Sequence, residues 1–185
     1  MINLVEEAKK MQDFCDENGW KFCFIGGLAL QTWGEPRVTE DVDLTLLTGF
    51  GSEESYIETL LETYTGRLPD AAQFALRNRV LLLQSENGVE FDISLGAFPF
   101  EESAVERSTF QEYLPDVFLR ICSAEDLIVL KAFADRMRDW ADIESVIVRQ
   151  QKLDWHYIIE QLAPLVELKY APEIIAKLQK LHQSL

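Results

Sequence analysis

Apolar residues recur every three or four positions from Asn3 to about Asn18, with Leu4, Ala8, Met11 and Cys15 on one face, so this stretch reads as an amphipathic helix ended by Asn18-Gly19. Trp20 to Ile25 is a short apolar run of the buried-strand kind, broken by Gly26-Gly27. Leu28 to Trp33 then reads as a short helix stopped by Gly34 and Pro36, Val42 to Leu47 as a strand with Asp41 at its mouth, and Glu53 to Tyr64 as a helix. Arg77–Gln84 and Val89–Leu95 flank Ser85-Glu86-Asn87-Gly88, and Asn-Gly between two apolar runs predicts a hairpin. Val117 to Ile121 is one more candidate strand. Beyond Cys122 the texture changes. Ser123-Ala124-Glu125-Asp126 has the form of a capping box with Asp in its fourth place. Helical patterns follow over about 124–135, 139–151, 155–167 and 172–183, punctuated by Pro164 and Pro172. Mixed strands and helices therefore come first and helices alone after, which divides the chain into 1–122 and 123–185.

Composition narrows the reading. At 185 residues and 48% hydrophobic, the chain has material for one domain with a small helical appendage and a proper core. Its formal net charge of −15 repels phosphate backbones. That argues against non-specific nucleic-acid binding and against an anionic membrane surface, while leaving room for a local basic patch beside a metal. Cys15, Cys23 and Cys122 sit in apolar company and read as reduced, buried thiols of a cytoplasmic protein. With no C-x-x-C and only His156 and His182, a structural zinc site is not expected. The first residues carry acids where a signal peptide needs bases, and no stretch has the length of uncharged apolar residues that spans a bilayer.

The chemistry lies in carboxylates. On a strand over 41–47, Asp41 and Asp43 point the same way while Val42 and Leu44 point into the core. Two carboxylates about 6–7 Å apart along one strand face repel unless a cation lies between them. Oxygen donors of this kind suit magnesium or manganese. In Val89-Glu90-Phe91-Asp92-Ile93 a third acid, Asp92, alternates with apolar neighbours. If its strand lies beside that of Asp43, three acids converge, enough for two divalent ions that neutralise a triphosphate and activate a hydroxyl. Gly26-Gly27, after a strand and before a helix, offers free N–H groups to phosphate oxygens. Taken singly, Asp-x-Asp also fits a solvated edge, and Gly-Gly an ordinary turn.

Gly26-Gly27-x-Ala29, then Arg37-x-Thr39-x-Asp41-x-Asp43-Leu44, then Asp92 together resemble the signature of the DNA polymerase beta-like nucleotidyltransferase superfamily, in its small bacterial AbiEii-toxin-like branch of minimal nucleotidyltransferases. Asp126 to Lys131, with Arg136, Arg138, Asp139 and Asp142-Ile143, resembles the helical segment following the catalytic sheet there, so the resemblance covers about residues 20–145. It implies an α+β fold: a small mixed sheet flanked by helices, then a C-terminal helical segment packed on the core. It implies that Asp41 and Asp43 bind two magnesium ions (manganese being the alternative), that Asp92 completes the metal site and helps deprotonate the acceptor, and that Gly26 and Gly27 hold the triphosphate. The reaction implied is magnesium-dependent transfer of a nucleoside monophosphate from a nucleoside triphosphate to an acceptor hydroxyl, on a small molecule, a protein or tRNA, with release of pyrophosphate. The alternative is a toxin–antitoxin or regulatory module of the same fold acting through an antitoxin-like protein partner.

Further residues admit two readings each. Arg37 could clamp phosphate or pair with Glu35 or Glu40. Lys131, inside an apolar helix, could face the triphosphate or pair with Asp135. Arg136, Arg138, Asp139 and Asp142 read as solvated helix pairs or, as the resemblance implies, Asp139 and Asp142 as a structural network with Lys131 behind the site. Thr39 reads as ordering the turn into the metal strand. Arg77 and Arg79 share a face of the expected strand, where they would contact an acceptor or solvent. Trp33 could stack on a base. His156 and His182 are given no role.

Overall fold

Alternating burial along the extended segments builds one seven-stranded mixed sheet in the computed structural model, which describes residues 2–185. The chain falls into two units, one of residues 1–28 and 38–122, the other of 29–37 and 123–185.

The first unit holds the sheet. Its strands are β1 (Phe22–Phe24), β2 (Asp41–Leu47), β3 (Thr65–Gly66), β4 (Val80–Gln84), β5 (Glu90–Gly96), β6 (Thr109–Leu114) and β7 (Val117–Ile121), in the order β3-β4-β5-β2-β1-β7-β6. The β2–β5 and β1–β7 pairs are parallel; the others are antiparallel. Period-two alternation puts Phe22, Phe24, Leu44, Leu46, Phe91 and Ile93 on one buried face. Helix α1 (Ile2–Glu17) buries Leu4, Ala8, Met11 and Cys15 in the same core, and α3 (Glu53–Thr63) adds Ile57 and Leu60. Gln12 of α1 ties the sheet by donating to Phe118 O at 2.9 Å and accepting from Arg120 N at 2.8 Å. On the other face, α5 (Pro99–Glu106) lies by β2 and β1, where Thr45 and Gly96 are buried. Asp41, Asp43, Glu90 and Asp92 on this face keep partial exposure.

The short helix α2 (Gly26–Trp33) starts two residues earlier than its periodicity predicts: Gly26 and Gly27 form its first turn, and Gly26 takes φ +55°. The strand predicted from Arg77 begins at Val80. Arg77 belongs instead to α4 (Ala71–Asn78), and Arg79 is its left-handed cap at φ 55°. The hairpin forms as expected, with Gly88 at φ +80° in the loop.

The second unit is helical: α6 (Ala124–Ala134), α7 (Met137–Arg149), α8 (Trp155–Leu168) and α9 (Glu173–Ser184), with Ala29–Trp33 of α2. Ser123 caps α6 by accepting from Asp126 N at 3.1 Å. Pro164 does not end its helix. It lies inside α8 at an exposed position. Leu127, Ile128, Ile143, Val146, Ile158, Leu162 and Leu178 are fully buried and form this unit's core.

Candidate active site

Parallel pairing decides the site. Asp41 is opposite Glu90 and Asp43 is opposite Asp92 across β2 and β5, so four carboxylates share one face as a two-by-two block. One carboxylate oxygen from each of Asp41, Asp43 and Asp92 lies within 4.8 Å of the others. Oxygens around one magnesium at ~2.1 Å stand about 3–4 Å apart, so small side-chain rotations bring this donor set onto an ion. The residues fit a divalent metal in donor type, number and spacing.

Each acid of the trio receives a local hydrogen bond. Thr39 Oγ1 donates to Asp41 Oδ1 at 2.9 Å, the ordering role expected of it. Gly27 N–H, in the first turn of α2, points to Asp43 Oδ2 at 3.4 Å. The glycines are required here by space. A Cβ on Gly26 would lie 1.9 Å from Asp43 Oδ2, and one on Gly27 would lie 2.3 Å from Thr39 Oγ1. Asp92 Oδ1 accepts from Arg67, whose other arm reaches Glu90. Burial pushes the Asp92 carboxyl above its ordinary range and the Asp41 charge adds to this, against the opposing pull of Arg67.

Arg67 is the functional-site residue that the sequence pattern does not reveal. It follows the two-residue strand β3, in Thr65-Gly66-Arg67-Leu68-Pro69, where no periodicity exists. A lone basic residue in that turn is the one signal it leaves.

Arg37 and Lys131 come together in the second unit. Arg37 forks onto Asp142, Nε to Oδ1 at 3.1 Å and Nη2 to Oδ2 at 3.0 Å. Lys131, 6% exposed, donates to Asp142 Oδ2 at 2.6 Å and to Asp139 Oδ1 at 3.4 Å. The network read for Lys131, Asp139 and Asp142 is therefore present. The alternative pairing with Asp135 is not: α6 ends in a left-handed turn at Asp135 (φ 57°), which binds Lys177 and Trp140 instead. Burial would raise the Asp142 carboxyl, but Arg37 and Lys131 outweigh it and hold the group below the usual carboxylate range. Arg136 adds a third cation through Asp139, at 2.7 Å. Arg79 is structural, joining Glu53, Gly49 O and Leu95 O beneath the Phe50 ring. His182 stacks on Trp155, and the Trp33 carbonyl accepts from Gln150.

The chain belongs to the family of nucleotidyl transferase AbiEii toxins of type IV toxin–antitoxin systems, whose profile matches residues 12–175. Its enzyme class is nucleotidyl transfer. The fold is similar to that of an antigenic nucleotidyltransferase-like protein from Paracoccidioides brasiliensis, at TM-score 0.53 and 18% identity over 95% of this chain and 92% of that one. It is also similar to the lincosamide antibiotic adenylyltransferase LnuA, solved with lincomycin bound, at TM-score 0.51 and 14% identity over 76% of this chain and 94% of that one. No relative is found among curated protein sequences. Among the described residues, no helix is long and apolar enough to cross a membrane.

Proposed function

We propose that the protein transfers a nucleoside monophosphate from a nucleoside triphosphate to an acceptor hydroxyl, with Asp41, Asp43 and Asp92 holding two magnesium ions (manganese as the alternative). The observation that carries this reading is the Asp43–Asp92 register, which brings three carboxylate oxygens within 4.8 Å. Bound divalent ions would supply charge neutralisation at the polyphosphate and a more acidic acceptor hydroxyl. The chain's own residues do the rest. Gly26 and Gly27, with no Cβ, let the triphosphate approach the backbone at the start of α2. A carboxylate oxygen of Asp92 takes the proton from the acceptor hydroxyl. The hydroxyl oxygen bonds to the α-phosphorus, the bond from that phosphorus to the α–β bridging oxygen breaks, and pyrophosphate leaves. Arg37 and Lys131 are proposed as nucleotide-binding residues that share their charge with Asp142. Residues 1–122 would carry the chemistry and 123–185 the helical extension.

The net charge of −15 supports a small hydroxylated molecule or a protein as acceptor over non-specific nucleic acid; tRNA would need a local basic patch. Family membership supports an antitoxin as protein partner. Three cysteines buried in the apolar core support a reducing, cytoplasmic setting. The test is incubation with each labelled nucleoside triphosphate, magnesium and a cell extract. A labelled acceptor that vanishes with Asp43→Asn is expected. Tight capture of a protein with no nucleotide response at all would overturn the proposal in favour of a partner-binding module.

A further inference from the structure

We propose that Arg67 is a positioning residue of the transfer reaction: its two-armed guanidinium fixes the orientation of Asp92, and the reaction uses the shape of that group more than its charge. This rests on the metal-dependent transfer proposed above. The chain reaches Arg67 from the sheet edge, where β3 pairs with β4 and Arg67 N–H donates to Leu82 O at 3.0 Å. The β4 residues opposite Asp92 and Glu90 are Leu82 and Gln84. The side chain spans this strand to put Nη2 on Asp92 and Nη1 on Glu90, two positions apart on the same face of β5.

Three features favour orientation over simple neutralisation. The side chain is only 21% exposed, and its Nε is buried without a hydrogen-bond partner. An arginine serving as a surface counter-charge would keep that N–H in water, so the two Nη contacts decide the placement. Two arms anchored on two acids fix the plane of the guanidinium, and with it the carboxylate at Asp92 Oδ1; an ammonium group cannot do this. Finally, a fixed cation beside a metal ligand weakens attraction for the ion. A residue kept there against that cost serves geometry. Thr39 on Asp41 and Gly27 on Asp43 hold the other two acids in the same manner.

Charge and shape then act on different measurements. Metal-free full-length protein is titrated with Mn2+ alone, following free Mn2+ by electron paramagnetic resonance. Product formation from labelled nucleoside triphosphate is measured with extract acceptor. Arg67→Lys keeps the charge, so its Mn2+ affinity stays within about two-fold of wild type, whereas Arg67→Gln binds Mn2+ more tightly. Both lower the rate at saturating nucleotide by about ten-fold or more, with the half-saturating nucleotide concentration unchanged. Glu90→Ala removes one anchor at a half-exposed position; it is slowed less than either and keeps the test open if the Arg67 variants unfold. Arg67→Lys or Glu90→Ala at the wild-type rate would overturn the proposal, as would weaker Mn2+ binding by Arg67→Gln. Asp43→Asn separates the two levels. If it binds Mn2+ as wild type does and stays active, the metal reading itself fails. If it is silent while Arg67→Lys is fully active, only the role of Arg67 fails.

Discussion

Two clusters of aspartates in this chain differ in how their charge is met. On the β2–β5 face, Asp92 and Glu90 share the guanidinium of Arg67, while Asp41 receives the Thr39 hydroxyl and Asp43 the Gly27 N–H. In the helical unit, Asp139 and Asp142 are met by Lys131, Arg37 and Arg136. Burial is deeper in the second cluster, where Asp139 and Asp142 are 2% and 6% exposed, yet the Asp142 carboxyl is held low while that of Asp92 is pushed up. The difference teaches that burial alone does not mark a functional acid. A half-buried acid with one guanidinium nearby and a deeply buried acid with several cations are shifted in opposite directions.

The sharpest way to break the contrast is to neutralise one member of each cluster. Asp43→Asn should reduce transfer and magnesium-dependent nucleotide binding to background, by calorimetric titration, with thermal stability unchanged or raised because a repulsion is relieved. Retained activity would remove the proposed metal role. Lys131→Met should do the reverse to stability, leaving Asp139 and Asp142 under-compensated and lowering the unfolding free energy by about 3–5 kcal/mol in urea titration. A variant as stable as wild type would show that the second cluster is not self-neutralising.

Gly26→Ala sharpens the first half of the contrast. The left-handed backbone costs an L-residue about 1–2 kcal/mol, and the new methyl would displace Asp43, so Mn2+ binding should fall more steeply than stability. Equal loss of both would make the turn purely structural. The smallest effect concerns pH. The folded carboxyl of Asp142 lies below its ordinary value of 3.8, so its stabilisation is complete above that value and is lost as pH falls through the folded one. Urea unfolding of Asp142→Asn should therefore show a shallower loss of stability at acid pH than wild type.

Much of the site was legible because strands alternate. Asp43 and Asp92 each lie between buried apolar residues, Asp41 precedes the buried Val42, and period two leaves one face for all three. The residues that hold them were legible only in part. Thr39 and Gly27 are near in sequence to what they serve, but Arg67 acts across β4, and only the register of a two-residue edge strand puts it there. The same reason hid β6, an edge strand whose Thr109, Phe110 and Glu112 are exposed, so it has no alternating buried face to read. Arg77 and Arg79 misled because the end of α4 and the start of β4 are joined at one left-handed residue, with no glycine or proline to mark the break. For Lys131, the turn at Asp135 removes the i+4 neighbour and lets α7 supply the acids.

The parallel pairing of β2 with β5 has a consequence for how the protein is made. Asp43 and Asp92 are separated by 92 − 43 = 49 residues, with β3 and β4 between them. A nascent chain that has released only its first half from the ribosome lacks the partner strand, and closing so long a loop is slow beside local helix formation. The acidic face is therefore completed late, when β5 emerges and pairs with β2.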